Sequence, residues 1–159
     1  MRKIDALFHE YGLSHQNMTN KLIHWFCVPA IFFSIVGLIF TIQADPLPEI
    51  MPFLGNFANW ATVVLALVLI YYLMLSTPLT LGMFLFSALC LAGANFIDLN
   101  FPGKLWMFSL GLFLLSWILQ FYGHRIEGKK PTFLKDLQFL LIGPAWLMHF
   151  IYKKWGLSY

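Results

Sequence analysis

Residues 50–97, IMPFLGNFANWATVVLALVLIYYLMLSTPLTLGMFLFSALCLAGANFI, run without a single Asp, Glu, Lys or Arg. A transmembrane helix needs about 20 apolar residues, so this stretch holds two. Ser76-Thr77-Pro78-Leu79 supplies a turn between them, because Pro does not continue a helix easily. Two more uncharged stretches flank it, Leu22 to Ala44 and Leu105 to His124. The reading is an all-α integral membrane protein forming a single membrane domain, 1–159. It has about four spans, near 21–42, 58–75, 79–97 and 105–123. Asn95 and Asp98 close the third span, and Phe101-Pro102-Gly103 links it to the fourth.

Composition agrees. Of 159 residues, 60% are hydrophobic, 18% aromatic and only 11% charged, against a soluble norm of about 25% charged. Mean hydropathy is +0.74. A soluble domain of this size has too much surface for its volume to hide so much apolar area. The net charge of +3 rests on ten scattered Lys and Arg, with no basic stripe, which excludes a nucleic-acid partner. Cys27 and Cys90 sit inside apolar runs, which excludes a disulfide framework or Cys-rich zinc site. They read as small buried apolar residues. Met1–Leu13 has no long apolar core before a small-residue cleavage site, so no cleaved signal peptide is expected.

Two segments are less regular. Residues 132–152 are apolar from Leu137 but broken at Gly143-Pro144. A re-entrant or interfacial helix pair fits them, with a fifth span as the competing reading. Asp45–Phe57 carries Pro46, Pro48 and Pro52 and reads as a surface loop with a short amphipathic piece.

Positive charge sets orientation. Arg2, Lys3 and Lys21 precede the first span; Arg125, Lys129, Lys130 and Lys135 follow the fourth; Lys153 and Lys154 lie near the C-terminus. With both termini cytoplasmic, Lys104 alone lies outside. Lean loops and no retention tail point to a bacterial inner membrane, or to the endoplasmic reticulum in a eukaryote.

Polar residues that cluster at a membrane boundary carry the information in such a chain. His15 and His24 lie at the entry to the first span and His124 at the exit of the fourth. Histidines from both ends of the chain thus reach one depth on one side, as a metal site between helices requires. The alternative is that each is an interfacial polar residue. His15 and His24 are nine apart, about 900° on one helix, which would put them on opposite faces. They can share an ion only if the chain bends at Gln16–Asn20, where Asn17, Thr19 or Asn20 can cap the first span. His24, Cys27 and Val28 share a face of that span. His124 and Glu127 are three apart, and Glu127 can be a ligand or an acceptor that fixes the His124 tautomer. His9 reads as surface on an amphipathic helix with Leu7, Phe8 and Tyr11; His149 reads as either buried or a further ligand.

Imidazole with carboxylate and no thiolate suits iron, zinc or copper. His9-Glu10 is followed by Tyr11, Gly12 and Leu13, so there is no HExxH; GxSxG is also absent. Five histidines are too few for the His boxes of a membrane di-iron desaturase.

Glu10-Tyr11-Gly12-Leu13-Ser14-His15-Gln16-Asn17-Met18-Thr19-Asn20-Lys21-Leu22-Ile23-His24, with Val28-Pro29, resembles the N-terminal signature of the 2-hydroxy fatty acid dioxygenases. Gln120-Phe121-Tyr122-Gly123-His124, with Glu127 and Pro131, resembles their second signature, and Gly143-Pro144 a weaker third. The resemblance runs over nearly the whole chain. It implies Fe(II)-dependent α-oxidation, in which a 2-hydroxy fatty acid and O2 give a fatty acid one carbon shorter. It implies His15, His24 and His124 as metal ligands, with Glu127 or His149 as a possible fourth. Asn17, Asn20 and Gln120 would hold ligands or substrate by hydrogen bonds, the acyl tail would lie between apolar spans, and membrane lipid would be a further partner. Lys21, Arg125 or Lys130 could attract the carboxylate, or serve only as positive-inside anchors. The alternatives are a non-catalytic lipid-binding or scaffold protein and a zinc-dependent lipid hydrolase.

Overall fold

The computed structural model describes residues 2–128 and 139–159. Among them all regular structure is helical: α1 (Lys3–Leu13), α2 (Met18–Phe40), α3 (Leu47–Ile50), a 3-10 turn (Pro52–Phe57), α4 (Trp60–Leu75), α5 (Thr77–Asn100), α6 (Leu105–Glu127) and α7 (Ile142–Lys154). Three of these, α2, α5 and α6, are long and apolar enough to cross a membrane.

The expected second span is shorter than that. Asn59 accepts from the Thr62 N–H at 3.1 Å and so starts α4 at Trp60. Ser76 ends it, leaving 16 residues, about 24 Å at 1.5 Å each. The turn expected at 76–79 contracts to Ser76, whose side chain caps α5 by accepting from Leu79 N–H at 3.4 Å. Pro78 lies in the first turn of α5, where its missing N–H costs nothing. Asn95 and Asp98 do not close α5, which continues to Asn100. The link at Phe101–Gly103 is observed, with Gly103 at φ +71°.

The bundle is organised on α2 and α6, the most extensively packed helix pair. They run antiparallel: the C-terminal half of α2 meets the start of α6, where Gly37 faces Ser109 and Leu105, and the start of α2 meets the end of α6, where Gly123 faces Asn20 and Ile23. Small residues bring the backbones together. A Cβ on Gly37 would stand 2.2 Å from Ser109 Oγ, and one on Gly123 2.4 Å from Asn20 Oδ1. Lipid offers no hydrophobic drive between helices, so close packing of small residues takes over. The outward faces stay apolar: Leu67, Met74, Leu89 and Ile118 are more than half exposed, as contact with acyl chains requires.

Of the C-terminal segment, residues 129–138 lie outside the described part. The rest is a turn and one helix, α7, of 13 residues, too short for the fifth span. Gly143-Pro144 does not break it. Both residues sit in its first turn, where Pro is tolerated. The Tyr72 hydroxyl donates to the Leu141 carbonyl, and the Tyr152 hydroxyl donates to the Pro78 carbonyl at 2.6 Å. These bonds hold α7 at the end of the bundle where α4 finishes and α5 starts. Against α7 packs α1, through the buried Ile4, Phe8 and Tyr11. Cys27 and Cys90 are buried free thiols, as expected.

Candidate metal centre

The chain bends between α1 and α2, the condition under which His15 and His24 can share an ion. Asn17 is extended (φ −68°, ψ 132°) and its side chain accepts from the N–H groups of Thr19 and Asn20 at 2.8 and 3.3 Å. Two of the unpaired donors at the start of α2 are thereby satisfied. The bend turns His15 back towards His24, and α6 delivers His124 from the opposite direction.

The three imidazoles converge. Ring centroids are 4.2 Å apart for His15 and His24, 5.0 Å for His24 and His124, and 5.4 Å for His15 and His124. One ligand nitrogen from each falls within 4.8 Å of the other two, and all three side chains are buried. His15 Nδ1 lies 2.7 Å from the Tyr11 carbonyl oxygen, and His24 Nδ1 lies 2.9 Å from that of Asn20. A carbonyl only accepts, so each Nδ1 carries the proton. In the neutral imidazole that leaves Nε2 with its lone pair. This is the arrangement in which metal-binding histidines are held by their surroundings.

Glu127 stands outside that group. Its Oε1 accepts from the Gln16 N–H at 2.8 Å, and its Oε2 accepts from the Asn17 N–H at 2.9 Å and from Asn20 Nδ2 at 3.1 Å. The carboxylate clamps the bend that carries His15, and does so from 110 residues away. Asn20 also donates to the Ser14 carbonyl at 3.3 Å, tying both sides of the bend together. His149 is remote, set among the rings of Phe8, Phe150 and Tyr159, and His9 is exposed.

Two aromatic side chains complete the surroundings. Tyr11 stacks on His15 at 4.2 Å with 15° between the planes, and Trp146 stands 5.6 Å from His15. Sequence reasoning assigned them no part here. Tyr11 is four residues before His15 in chain order, a spacing that signals contact on a helix. Trp146 arrives only through the docking of α7 and has no local signal.

On its inner side the centre opens to a cavity of about 20 Å³ bordered by His24, His124, Gln120, Trp117 and Leu140. Outward, His15 borders an open cleft of about 250 Å³ with His9, Gln16 and Lys21 on its rim. Gln120 is buried, at 7% exposure, and borders the inner cavity.

The family model described as "Mpo1-like: 2-hydroxy-palmitic acid dioxygenase Mpo1-like" matches residues 1–155. Among curated proteins, the "2-hydroxy-palmitic acid dioxygenase MPO1" of Saccharomyces cerevisiae is 29% identical over 148 residues, 90% of this chain and 76% of that protein. No solved structure gives a significant match. The match covers both histidine-bearing ends of the chain, and the chain belongs to the Mpo1-like family.

Proposed function

We propose that the protein is a non-haem iron dioxygenase that shortens 2-hydroxy fatty acids by one carbon. His15, His24 and His124 would hold Fe(II). The observation that carries this reading is the buried three-imidazole group, with two of its rings fixed as Nδ1–H tautomers. The donor set fits the ion. Neutral imidazoles without thiolate suit iron, zinc or copper, and the name of the yeast relative favours the redox-active choice over zinc. Bound there, Fe(II) would supply the activation of O2 beside the C1–C2 bond of the substrate. The balance is R–CH(OH)–COOH + O2 → R–COOH + CO2 + H2O, so O2 accepts all four electrons and no external reductant is needed.

The chain's own residues prepare that event. Lys21, on the rim of the outer cleft, attracts the carboxylate as the amphiphile moves in from the membrane boundary. Gln120 offers an amide to the 2-hydroxyl or carboxylate from the cavity wall. Tyr11, Trp146 and Val28 surround the histidines with aromatic and aliphatic surface, excluding bulk water. The Tyr11 and Asn20 carbonyls keep Nδ1 protonated, and Glu127 keeps the bend closed.

The test is incubation of purified protein with a C1-labelled 2-hydroxy fatty acid, Fe(II) and O2. Labelled CO2 and an unlabelled acid one carbon shorter are expected, and both should vanish without O2. A fatty acid released without O2 from an acyl ester or amide, offered in place of the free acid, would instead indicate a hydrolase. Unaltered substrate across several chain lengths would leave a non-catalytic lipid-binding role.

A further inference from the structure

One face of α2 runs through His24, Val28, Ile31, Ile35 and Ile39, at helical spacings of four, three, four and four. His24, Val28 and Ile31 border the inner cavity of the histidine centre. Ile35 and Ile39 border a second cavity of about 60 Å³, closed on its other side by Ala61, Val64 and Leu65 of α4. Leu140 belongs to the wall of both. The first cavity is about 20 Å³, little more than the 10–15 Å³ or so that one water requires. It has room for O2 or a head-group atom beside the histidines and none for an acyl chain. A substrate held there must send its tail elsewhere, and every wall residue of the second cavity is aliphatic or aromatic.

We infer that the space between α2 and α4 is the binding site for the acyl tail of the substrate, entered past Leu140, and that Ile39, Ala61 and Val64 set the chain length accepted. The inference rests on the dioxygenase reading for the identity of the head group. The lengths agree along the helix axis, and side chains of α2 and α4 must shift for a slot of about 60 Å³ to take a whole tail. From His24 to Ile39 is 39 − 24 = 15 residues, about 22 Å along the helix axis. One leaflet's acyl chains fill half of a hydrocarbon core of about 30 Å, or about 15 Å. A tail of about 15 Å with its carboxyl end at the histidines therefore finishes beside Ile35, inside the slot, and a longer one runs on towards Ile39. The antiparallel course of the helices puts Ala61, at the start of α4, beside the far part of α2, and Val68 nearer the histidines.

Two measurements test this. In the first, a 2-hydroxy fatty acid with a diazirine at its methyl end is photolysed in the wild-type protein in detergent micelles, and the labelled residues are located by mass spectrometry. Label on Ile39, Ala61 or Val64, displaced by excess unlabelled 2-hydroxy acid, is expected. Label confined to outward residues such as Leu67, Ile70 and Leu73, undiminished by competitor, overturns the inference and makes the slot a gap filled by bulk lipid. In the second, kcat/KM is measured across a chain-length series. Val64 is 37% exposed, so Val64→Phe is tolerated on folding grounds. It should lower kcat/KM by at least ~10-fold for long chains and leave short ones unchanged, since a misfit methylene in a pocket is worth ~10–200-fold. Ile39→Ala should move the optimum to longer chains. An equal change at every length overturns the inference. If label is displaced as expected but no turnover occurs, the tail site stands and the oxygenase reading falls.

Discussion

Glu127 Oε2, at the end of α6, accepts the backbone N–H of Asn17 at 2.9 Å, closing the bend between α1 and α2 from the far end of the chain. Three donors converge on this carboxylate: Gln16 N, Asn17 N and Asn20 Nδ2. Removing it leaves two backbone amides without that partner and frees the bend that aims His15. In Glu127→Ala, metal affinity should fall ~10–100-fold, the effect expected of groups behind the ligands, with a stability loss on the order of 1–2 kcal/mol. Glu127→Gln, which keeps one acceptor oxygen, loses the charge and turns the other oxygen into an NH2 group facing N–H donors, should fall between. Metal titration checks this. Equal affinity in all three proteins would show that Glu127 has no part in placing His15.

Gly123→Ala tests the closeness of α2 and α6. The new methyl would stand 2.4 Å from Asn20 Oδ1. Asn20 is fully buried and bonded to Ser14 and Glu127, so it cannot simply swing away. The helices must part, at a cost of about 1–3 kcal/mol for overpacking, and His24 and His124 move with them. Thermal unfolding and metal content should both decline. Gly111→Ala, where an added methyl meets nothing within 4 Å, should change neither.

The bundle was readable because charge is costly in lipid, so uncharged stretches mark the membrane on their own. The length of α4 was not, since the side-chain bond from Asn59 and the tight turn at Ser76 decide it, and neither shows in hydropathy. Pro78 and Pro144 misled in the same way. Each reads as a break in the sequence, yet each stands in the first turn of a helix, where no N–H is missed. In the centre, His15, His24 and His124 were legible from their common depth, and the bend from the impossible angle between His15 and His24. The clamp by Glu127 and the contact with Trp146 depend on which helices dock at that end, and only the three-dimensional arrangement reveals them.

Lys21 should act on substrate capture rather than on turnover. Lys21→Ala is expected to raise KM several-fold with kcat little changed, and the difference should shrink as salt screens the attraction. Steady-state kinetics at low and high ionic strength check this. A fall in kcat with KM constant would contradict the steering role.

His149 gives α7 a pH dependence. Burial among the rings of Phe8, Phe150 and Tyr159 pushes its pKa below the usual range; Lys153 lowers it further, and Asp5 partly offsets both. The unfolded chain therefore takes up a proton at a higher pH than the folded one. Stability is full above the ordinary value of about 6.5 and is lost as pH falls from there towards the depressed value. The thermal midpoint of the wild type should drop between pH 7.5 and 5.5 by more than that of His149→Phe. Parallel pH dependence in the two proteins would assign the effect elsewhere.

The central claim is that imidazoles from both ends of the chain hold one ion. It is tested most directly by the metal content of purified protein, wild type beside His24→Ala and His124→Ala, each confirmed as folded by its helical circular dichroism. Iron near one equivalent per chain in the wild type, lost in both variants, is the predicted result. Metal content that is negligible in the wild type, or unchanged when either histidine is removed, would contradict it.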